Sequence, residues 1–210
     1  MRNIVKGAEP KSLEEHRHSV VASYESYEDK QSLRTSLVAE QRGLCCYCLS
    51  RIVADPYKMK VEHWQSQKNF PERQLHYPNL LGACLGSEGK PTHLQHCDTR
   101  KGDLAFSMNP ADPNHDVERT LHYDKDGTIR SNDLMFNSEV NEVLNLNVPL
   151  LKNNRKAVLL RFITFSKKGN WNDSWLEKKL AEWGGDSGTG NLEEYCQVIV
   201  YWLRKRLQRS

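Results

Sequence analysis

The chain has 210 residues, enough for one medium domain or two small ones. Apolar residues make up 38% of it and charged residues 27%, a balance typical of a soluble globular protein. No run approaches the roughly 20 consecutive apolar residues of a membrane-spanning helix, and the opening segment lacks the apolar core of a secretion signal. We therefore expect a cytoplasmic protein, in which cysteines bind metals more often than they pair. The net charge of +3 permits nucleic acid binding without indicating it.

The first region, residues 1–43, is predicted to be helical. Ser12 followed by Glu15 has the form of a capping box, which would begin a first helix. The apolar positions of 30–41 predict a second helix, with Gly43 as the C′ residue that ends it. We interpret these helices as a packing layer for the rest of the chain.

The middle region, residues 44–103, differs in composition. It holds five of the six cysteines and half of the eight histidines. Short runs at 49–53 and 59–64 predict strands, and 65–78 predicts a polar loop. Because a segment with so little regular apolar pattern needs another source of stability, we expect a bound metal here.

The third region, residues 104–210, begins with a predicted hairpin over 117–131, turning at Lys125-Asp126-Gly127. Helices follow: one beginning at Pro149, one over 172–183 ended by Gly184-Gly185, and a final one with an apolar stripe. That stripe comprises Leu192, Tyr195, Cys196, Ile199, Trp202 and Leu203. The predicted fold class is α+β, with a small core embedded in a mainly helical protein.

Four cysteines have the spacing of a structural zinc site: they are Cys45, Cys48, Cys84 and Cys97. The first two form a C-x2-C knuckle, and four thiolates satisfy the tetrahedral preference of Zn²⁺. A redox C-x2-C would need a βαβ setting that the sequence lacks, and the expected compartment disfavours a disulfide. His96 is the rival of Cys97 for the fourth position, whereas Cys46 is expected to point away from the metal.

A second set of residues suits phosphodiester hydrolysis. His63 can take a proton from water near neutral pH, and Glu62 and Asp98 offer carboxylates to a hard cation such as Mg²⁺ or Mn²⁺. Lys101, one helical turn after Cys97, could contact a phosphate or simply be solvated. Taken alone, Glu62 and His63 would be interpreted as a surface strand pair.

The motifs CCYC, VEHW, NLLGAC and HCDTRKGD occur in that order. Together they resemble the HNH, or ββα-metal, endonucleases that carry a zinc knuckle. The resemblance implies a zinc-stapled ββα-metal core, a metal-dependent nuclease activity on DNA or another nucleic acid, and Asn79 as the residue that orients the histidine base. The family's last metal position is usually His or Asn and is Asp98 here, so His93 and His96 remain alternatives.

The opening MRNIVKGAEP and the later LNLNVPLLKNNR extend the likeness to the PtuB family, the HNH nuclease subunits of Septu and related retron anti-phage systems. That resemblance implies a PtuA-like ATPase subunit as partner. The aromatic C-terminal helices are where we expect it to dock. Two alternatives stay open: a non-catalytic zinc module that binds nucleic acid or protein, and a docking subunit with a vestigial site.

Two basic clusters are interpreted as solvated helix faces that could contact phosphate beside a nuclease site. The first comprises Lys152, Arg155, Lys156 and Arg161. The second comprises Arg204, Lys205, Arg206 and Arg209.

Overall fold

The computed structural model describes residues 1–166, 171–186, 188 and 190–208. Within these residues the fold is α+β, as predicted, with eight α-helices and two separate two-stranded antiparallel sheets. None of the described helices combines the length and apolar character required to cross a bilayer.

The first region contains helices α1, Lys11–Arg17, and α2, Lys30–Glu40. The predicted capping box is wrong. Pro10 is the N-cap of α1 and makes no side-chain cap bond, while the Ser12 hydroxyl lies 2.9 Å from the hydroxyl of Tyr27. Because the helix already begins at Lys11, Ser12 sits inside its first turn and its side chain serves tertiary packing instead.

Helix α2 occupies almost the predicted range, and its end differs by one residue. Arg42 takes the left-handed conformation at C′, with φ of 54°, and Gly43 follows with φ of 74°. The Gly43 amide donates to the Val38 carbonyl at 2.8 Å, which closes a Schellman motif. Gly43 is therefore the C″ residue rather than C′.

The middle region contains strands β1, Lys60–His63, and β2, Leu80–Ala83, which pair antiparallel with His63 opposite Leu80. The strand predicted at 59–64 is confirmed. The strand predicted at 49–53 is wrong, because Leu49 has a left-handed φ of 67° and only an isolated Leu44–Arg51 bridge forms there.

The predicted polar loop at 65–78 holds two short 3₁₀ helices, Pro71–Arg73 and Tyr77–Asn79. A third 3₁₀ helix, Thr92–Leu94, precedes α3, Cys97–Lys101. The order β1, β2, α3 brings two paired strands and a short helix into one unit.

The third region contains α4, Val117–Thr120, and the hairpin of β3, Leu121–Tyr123, with β4, Ile129–Ser131. The predicted hairpin is confirmed for its strands and turn, but its first four residues are helical. The remaining elements are α5, Leu134–Glu142; α6, Pro149–Ser166; α7, Asp173–Gly184; and α8, Cys196–Leu207. The predicted start at Pro149 and the glycine stop of α7 are confirmed; α5 was not predicted.

The largest hydrophobic cluster draws on all three predicted regions. Met1 and Ile4 pack with the buried cysteines and with Ile199 and Leu203 of α8. The predicted stripe is only partly helical, because α8 begins at Cys196 and Leu192 and Tyr195 precede it. Within α8, Cys196, Ile199 and Leu203 are buried and Trp202 is partly buried at the edge. The cysteine-rich segment is covered by apolar residues from both neighbouring regions.

One residue of the first basic cluster has a structural role instead of the predicted phosphate contact. Arg155 is buried, and its guanidinium donates to the carbonyls of Gly127 at 2.6 Å and Leu146 at 2.7 Å. It thereby joins α6 to the β3–β4 turn. Arg209 of the second cluster lies outside the described residues.

Candidate functional site

The four predicted cysteines converge on one point. The sulfur atoms of Cys45, Cys48, Cys84 and Cys97 all lie within 4.8 Å of one another, and all four side chains are buried. Cys45 and Cys48 lie together in the C-x2-C knuckle. Cys84 directly follows β2, and Cys97 begins α3 with a left-handed φ of 56°. The cluster therefore ties the β1–β2–α3 unit to the knuckle.

The spacing fits a tetrahedral zinc ion. Zn–S bonds of about 2.3 Å place tetrahedral sulfurs roughly 3.8 Å apart. The Cys45–Cys97 sulfurs are 3.9 Å apart and the Cys48–Cys84 sulfurs 3.7 Å. The Ser50 amide also points at the Cys48 sulfur at 3.5 Å. Four buried thiols in this arrangement are a site that can hold a metal ion such as zinc.

The neighbouring candidates fall outside the cluster. Cys46 is not one of its members, as expected, and its amide donates to the Gly82 carbonyl. His96 is buried with its Nδ1 3.2 Å from the Cys97 sulfur, so it contacts a ligand without joining the four. Cys196 lies in α8 within a smaller hydrophobic cluster.

Glu62 lies on β1 and is almost completely buried. Its Oε1 accepts from the Tyr47 hydroxyl at 2.6 Å and lies 2.8 Å from the Lys101 ammonium. The Asp98 carboxyl is also within hydrogen-bonding range. Burial raises the pKa of Glu62 well above its usual range, Asp98 raises it further, and Lys101 opposes both.

His63 is held in one tautomer. Its Nε2 lies 3.0 Å from the Gln74 carbonyl, which can only accept, so Nε2 carries the proton. Nδ1 therefore carries the lone pair, which accepts a long hydrogen bond from the Gln67 side-chain amide at 3.4 Å. The Tyr24 ring packs edge-on at 4.6 Å between centroids. The imidazole is 6% exposed, and burial lowers its pKa to about 4, so it is neutral at pH 7.

Asn79 fixes the chain around the histidine rather than touching its ring. The Asn79 Oδ1 accepts from the Gln65 amide at 2.8 Å, and Nδ2 donates to the carbonyls of Gln65 and Arg73 at 3.0 and 3.1 Å. The Arg73 carbonyl lies one residue before Gln74, whose carbonyl holds His63. Asn79 thus braces both the strand that carries His63 and the loop that orients it.

Asp98 and Lys101 approach β1 from helix α3. Asp98 lies beside Glu62, and its Oδ2 is 3.9 Å from the Lys60 ammonium. Lys101 is fully buried, pairs with Glu62 and donates to the His63 carbonyl at 3.1 Å. The alternative of a solvated lysine is wrong, because this ammonium is surrounded by protein. Of the three candidates for the last metal position, Asp98 is the one beside Glu62.

Sequence reasoning missed the groups that hold these residues. Tyr47 sits inside the C-x2-C knuckle, and its hydroxyl reaches Glu62. Gln74 and Gln67 lie in the predicted polar loop, and Tyr24 lies between α1 and α2. The position of Tyr47 within the knuckle was a usable signal. The other three depend on a loop path that no local pattern specifies.

The site combines the neutral imidazole of His63 with a carboxyl pair, Glu62 and Asp98, of which Glu62 is the preceding residue of β1. Two carboxylates suit a hard cation, since Mg²⁺ takes one or two protein carboxylates and completes its shell with water and phosphate oxygens. Among the described residues, the only group of three or more His, Cys, Asp or Glu side chains with metal-binding proximity is the cysteine cluster. A cation at Glu62 and Asp98 would therefore have two carboxylate ligands.

Comparison with protein-family models finds no matching family, and comparison with curated proteins finds no match. The function is therefore inferred from the site residues and their geometry.

Proposed function

We propose that this protein is a metal-dependent HNH-type endonuclease that hydrolyses phosphodiester bonds in nucleic acid, with DNA as the expected substrate. The observation that carries the proposal is His63: a neutral imidazole with Nε2 anchored on a carbonyl and Nδ1 available as a base, adjacent to a paired carboxyl site. The β1–β2–α3 order and the motif order support it.

The roles follow from the contacts. His63 Nδ1 accepts a proton from the attacking water. Glu62 and Asp98 would hold a Mg²⁺ or Mn²⁺ ion, which when bound supplies positive charge to the phosphoryl oxygens. Asn79 holds in place the loop whose Gln74 carbonyl orients His63. Lys101 is assigned a positioning role, because its ammonium contacts Glu62 and the His63 carbonyl rather than solvent.

The direct test is His63→Ala with plasmid DNA and Mg²⁺ or Mn²⁺. Loss of a general base typically slows a reaction by about 10² to 10⁴, so cleavage should fall by that factor. The matched control is His76→Ala, which removes an exposed histidine from the loop that carries Gln74. Both variants should keep the wild-type circular dichroism and zinc content. A folded His63→Ala protein that cuts at the wild-type rate removes His63 from the mechanism.

The second candidate function is a zinc module that binds nucleic acid or protein without cutting. Its support is the burial of Glu62 and His63, whose polar atoms are already bonded within the chain. The discriminating result is a wild-type protein that binds nucleic acid and shows no cleavage with any divalent ion, alone or with the product of its neighbouring gene.

We also propose an ATPase subunit as partner and a role as effector in anti-phage defence, supported by the PtuB resemblance. The C-terminal aromatics Trp171, Trp175, Trp183, Trp202 and Tyr201 are partly buried and pack against the core. The apolar surface left on α6 is that of Leu150, Leu160 and Phe165, which are exposed.

Co-purification with the ATPase tests this partnership. Leu160→Ser with Phe165→Ser should weaken capture, whereas Val20→Ser with Val21→Ser, which changes exposed apolar residues elsewhere, should not. Equal capture by both variants places the docking surface outside α6.

A further inference from the structure

A groove of about 800 Å³ lies between α4, β3 and α8, outside the Glu62–His63 site. Its walls carry Arg119, Arg204 and Lys205 against one acidic residue, Glu118. Glu118 is already engaged by the Asn3 amide at 3.2 Å and by the Arg204 guanidinium at 3.3 Å. The groove therefore has an excess of positive charge.

Two of its cations are accessible to a ligand. The Arg119 side chain is 84% exposed and makes only a 3.5 Å contact with Asp116. The Lys205 ammonium lies over the rings of Tyr201 and Trp202, at 5.5 and 5.6 Å from their centroids. Lys205 is half-buried, and a positively charged groove with aromatic side chains in it is a combination that follows a nucleic acid backbone.

Two polar side chains, Gln197 and His122, line the groove. Gln197 is 3% exposed, and its side-chain amide can both donate and accept hydrogen bonds. His122 also lines it, and its buried Nδ1 has no partner within the described part of the chain. Buried polar groups are normally paired, so a ligand with donors and acceptors suits this groove better than an apolar one.

The groove is connected to the candidate active site through the chain. Trp64 directly follows His63, and its ring centroid lies 6.5 Å from that of His115. Helix α4, which carries Arg119, begins two residues after His115.

We infer that this groove binds the sugar-phosphate backbone of the nucleic acid substrate as a second contact surface, an inference that rests on the proposed function. Arg119 and Lys205 would neutralise phosphates, and Gln197 and His122 would hydrogen-bond to the backbone. These contacts carry no base specificity, so they would raise affinity equally for different sequences.

The experiment measures binding separately from cleavage, in the His63→Ala background. Fluorescence anisotropy follows a labelled duplex, and the single strand of the same sequence, over a range of salt concentrations. The test variant is Arg119→Gln with Lys205→Gln. The matched control is Lys125→Gln with Lys178→Gln, which removes the same charge from exposed positions that do not line the groove and lie in neither basic cluster. Melting temperatures confirm that both variants fold.

The groove variant should bind about tenfold more weakly, and the slope of log affinity against log salt should fall by roughly one for each cation removed. The control should stay within about twofold of the parent. Gln197→Leu, which changes no charge, should also weaken binding. Equal losses in the groove variant and the control would assign the effect to net charge and overturn the inference, as would wild-type binding by the groove variant.

Failure of the proposed function gives a different result. In that case the protein with His63 intact does not cleave, while the groove variant still loses affinity for nucleic acid. If the groove variant binds nucleic acid normally but no longer captures the ATPase, the groove serves a protein partner and the inference is wrong.

Discussion

The cysteine cluster and the Glu62–His63 site are adjacent and differ in how their polar atoms are satisfied. The four sulfurs are buried with tetrahedral spacing, and their nearest polar neighbours are mainly one another. In the second site, Glu62 has a hydroxyl and an ammonium as partners, and His63 has a carbonyl and an amide. The cluster offers four thiols that can share one metal ion, whereas the polar groups of the second site have partners within the chain.

Under the proposed function, the difference is that between a structural metal site and a reactive one. A closed four-ligand site adds its binding free energy to folding. A site that must admit an ion and a substrate needs an apo state that is stable by itself, and the Lys101–Glu62 pair supplies one. The two sites should therefore respond differently to mutation and to pH.

The largest effect should come from the cluster. Cys45→Ser removes one of four ligands, and because structural zinc contributes on the order of 10 kcal/mol to folding, we expect loss of the ion and of cooperative unfolding. Metal analysis and thermal denaturation measure both. Cys46→Ser changes the adjacent residue, which is outside the cluster, and should retain about one zinc per chain. If both variants keep zinc, Cys45 is not a ligand.

A smaller effect should come from the ion pair. Lys101→Met leaves the buried Glu62 carboxyl without its ammonium, and breaking a buried pair costs about 3 kcal/mol or more. Denaturant unfolding measures this loss. The control is Lys60→Met, whose ammonium pairs with Glu88 near the surface and should cost under about 1 kcal/mol.

The double variant Glu62→Gln with Lys101→Met removes both charges and should recover much of that stability. If it is no more stable than Lys101→Met alone, the lysine stabilises the fold through packing rather than through the ion pair.

The smallest effect concerns pH. Burial lowers the pKa of His63 to about 4, so the unfolded state binds more protons between pH 6.5 and 4. The stability gained from neutral His63 is therefore complete above pH 6.5 and is lost as pH falls towards 4. For the same reason the base form persists below pH 6.5, and single-turnover cleavage should change by less than about twofold between pH 8 and 6. An acid limb centred near pH 6.5 that His63→Ala removes would mean that the imidazole is solvated in the working enzyme.

Much of the fold follows from local signals. Pro149 and the glycine stop of α7 each depend on residues a few positions apart, and both predictions are confirmed. The apolar stripe of the last helix is confirmed from Cys196 onward, whereas Leu192 and Tyr195 lie before the helix. The failures arise where tertiary contacts override the local pattern. Ser12 binds Tyr27 instead of capping a helix, and Arg155 binds the hairpin turn instead of facing solvent.

The candidate site likewise has a part that the sequence predicts and a part that it does not. The cysteine cluster was predictable because thiolates have one dominant use at that spacing, and the chain brings together the predicted four. Burial of Lys101 was not predictable, because a lysine on a five-residue helix carries no sign of what covers it. The Gln74 carbonyl that selects the His63 tautomer is a backbone group, which sequence cannot identify.

The Lys101 ammonium is a cation that the chain supplies to its own carboxylate. It lies 2.8 Å from the Glu62 oxygen, and its local concentration is set by a tether rather than by the surrounding solution. A divalent ion that binds Glu62 must compete with it, so the apparent affinity for that ion depends on how readily the lysine side chain withdraws. Under the proposed function, cleavage would therefore begin only above a divalent ion concentration set by the Lys101–Glu62 contact.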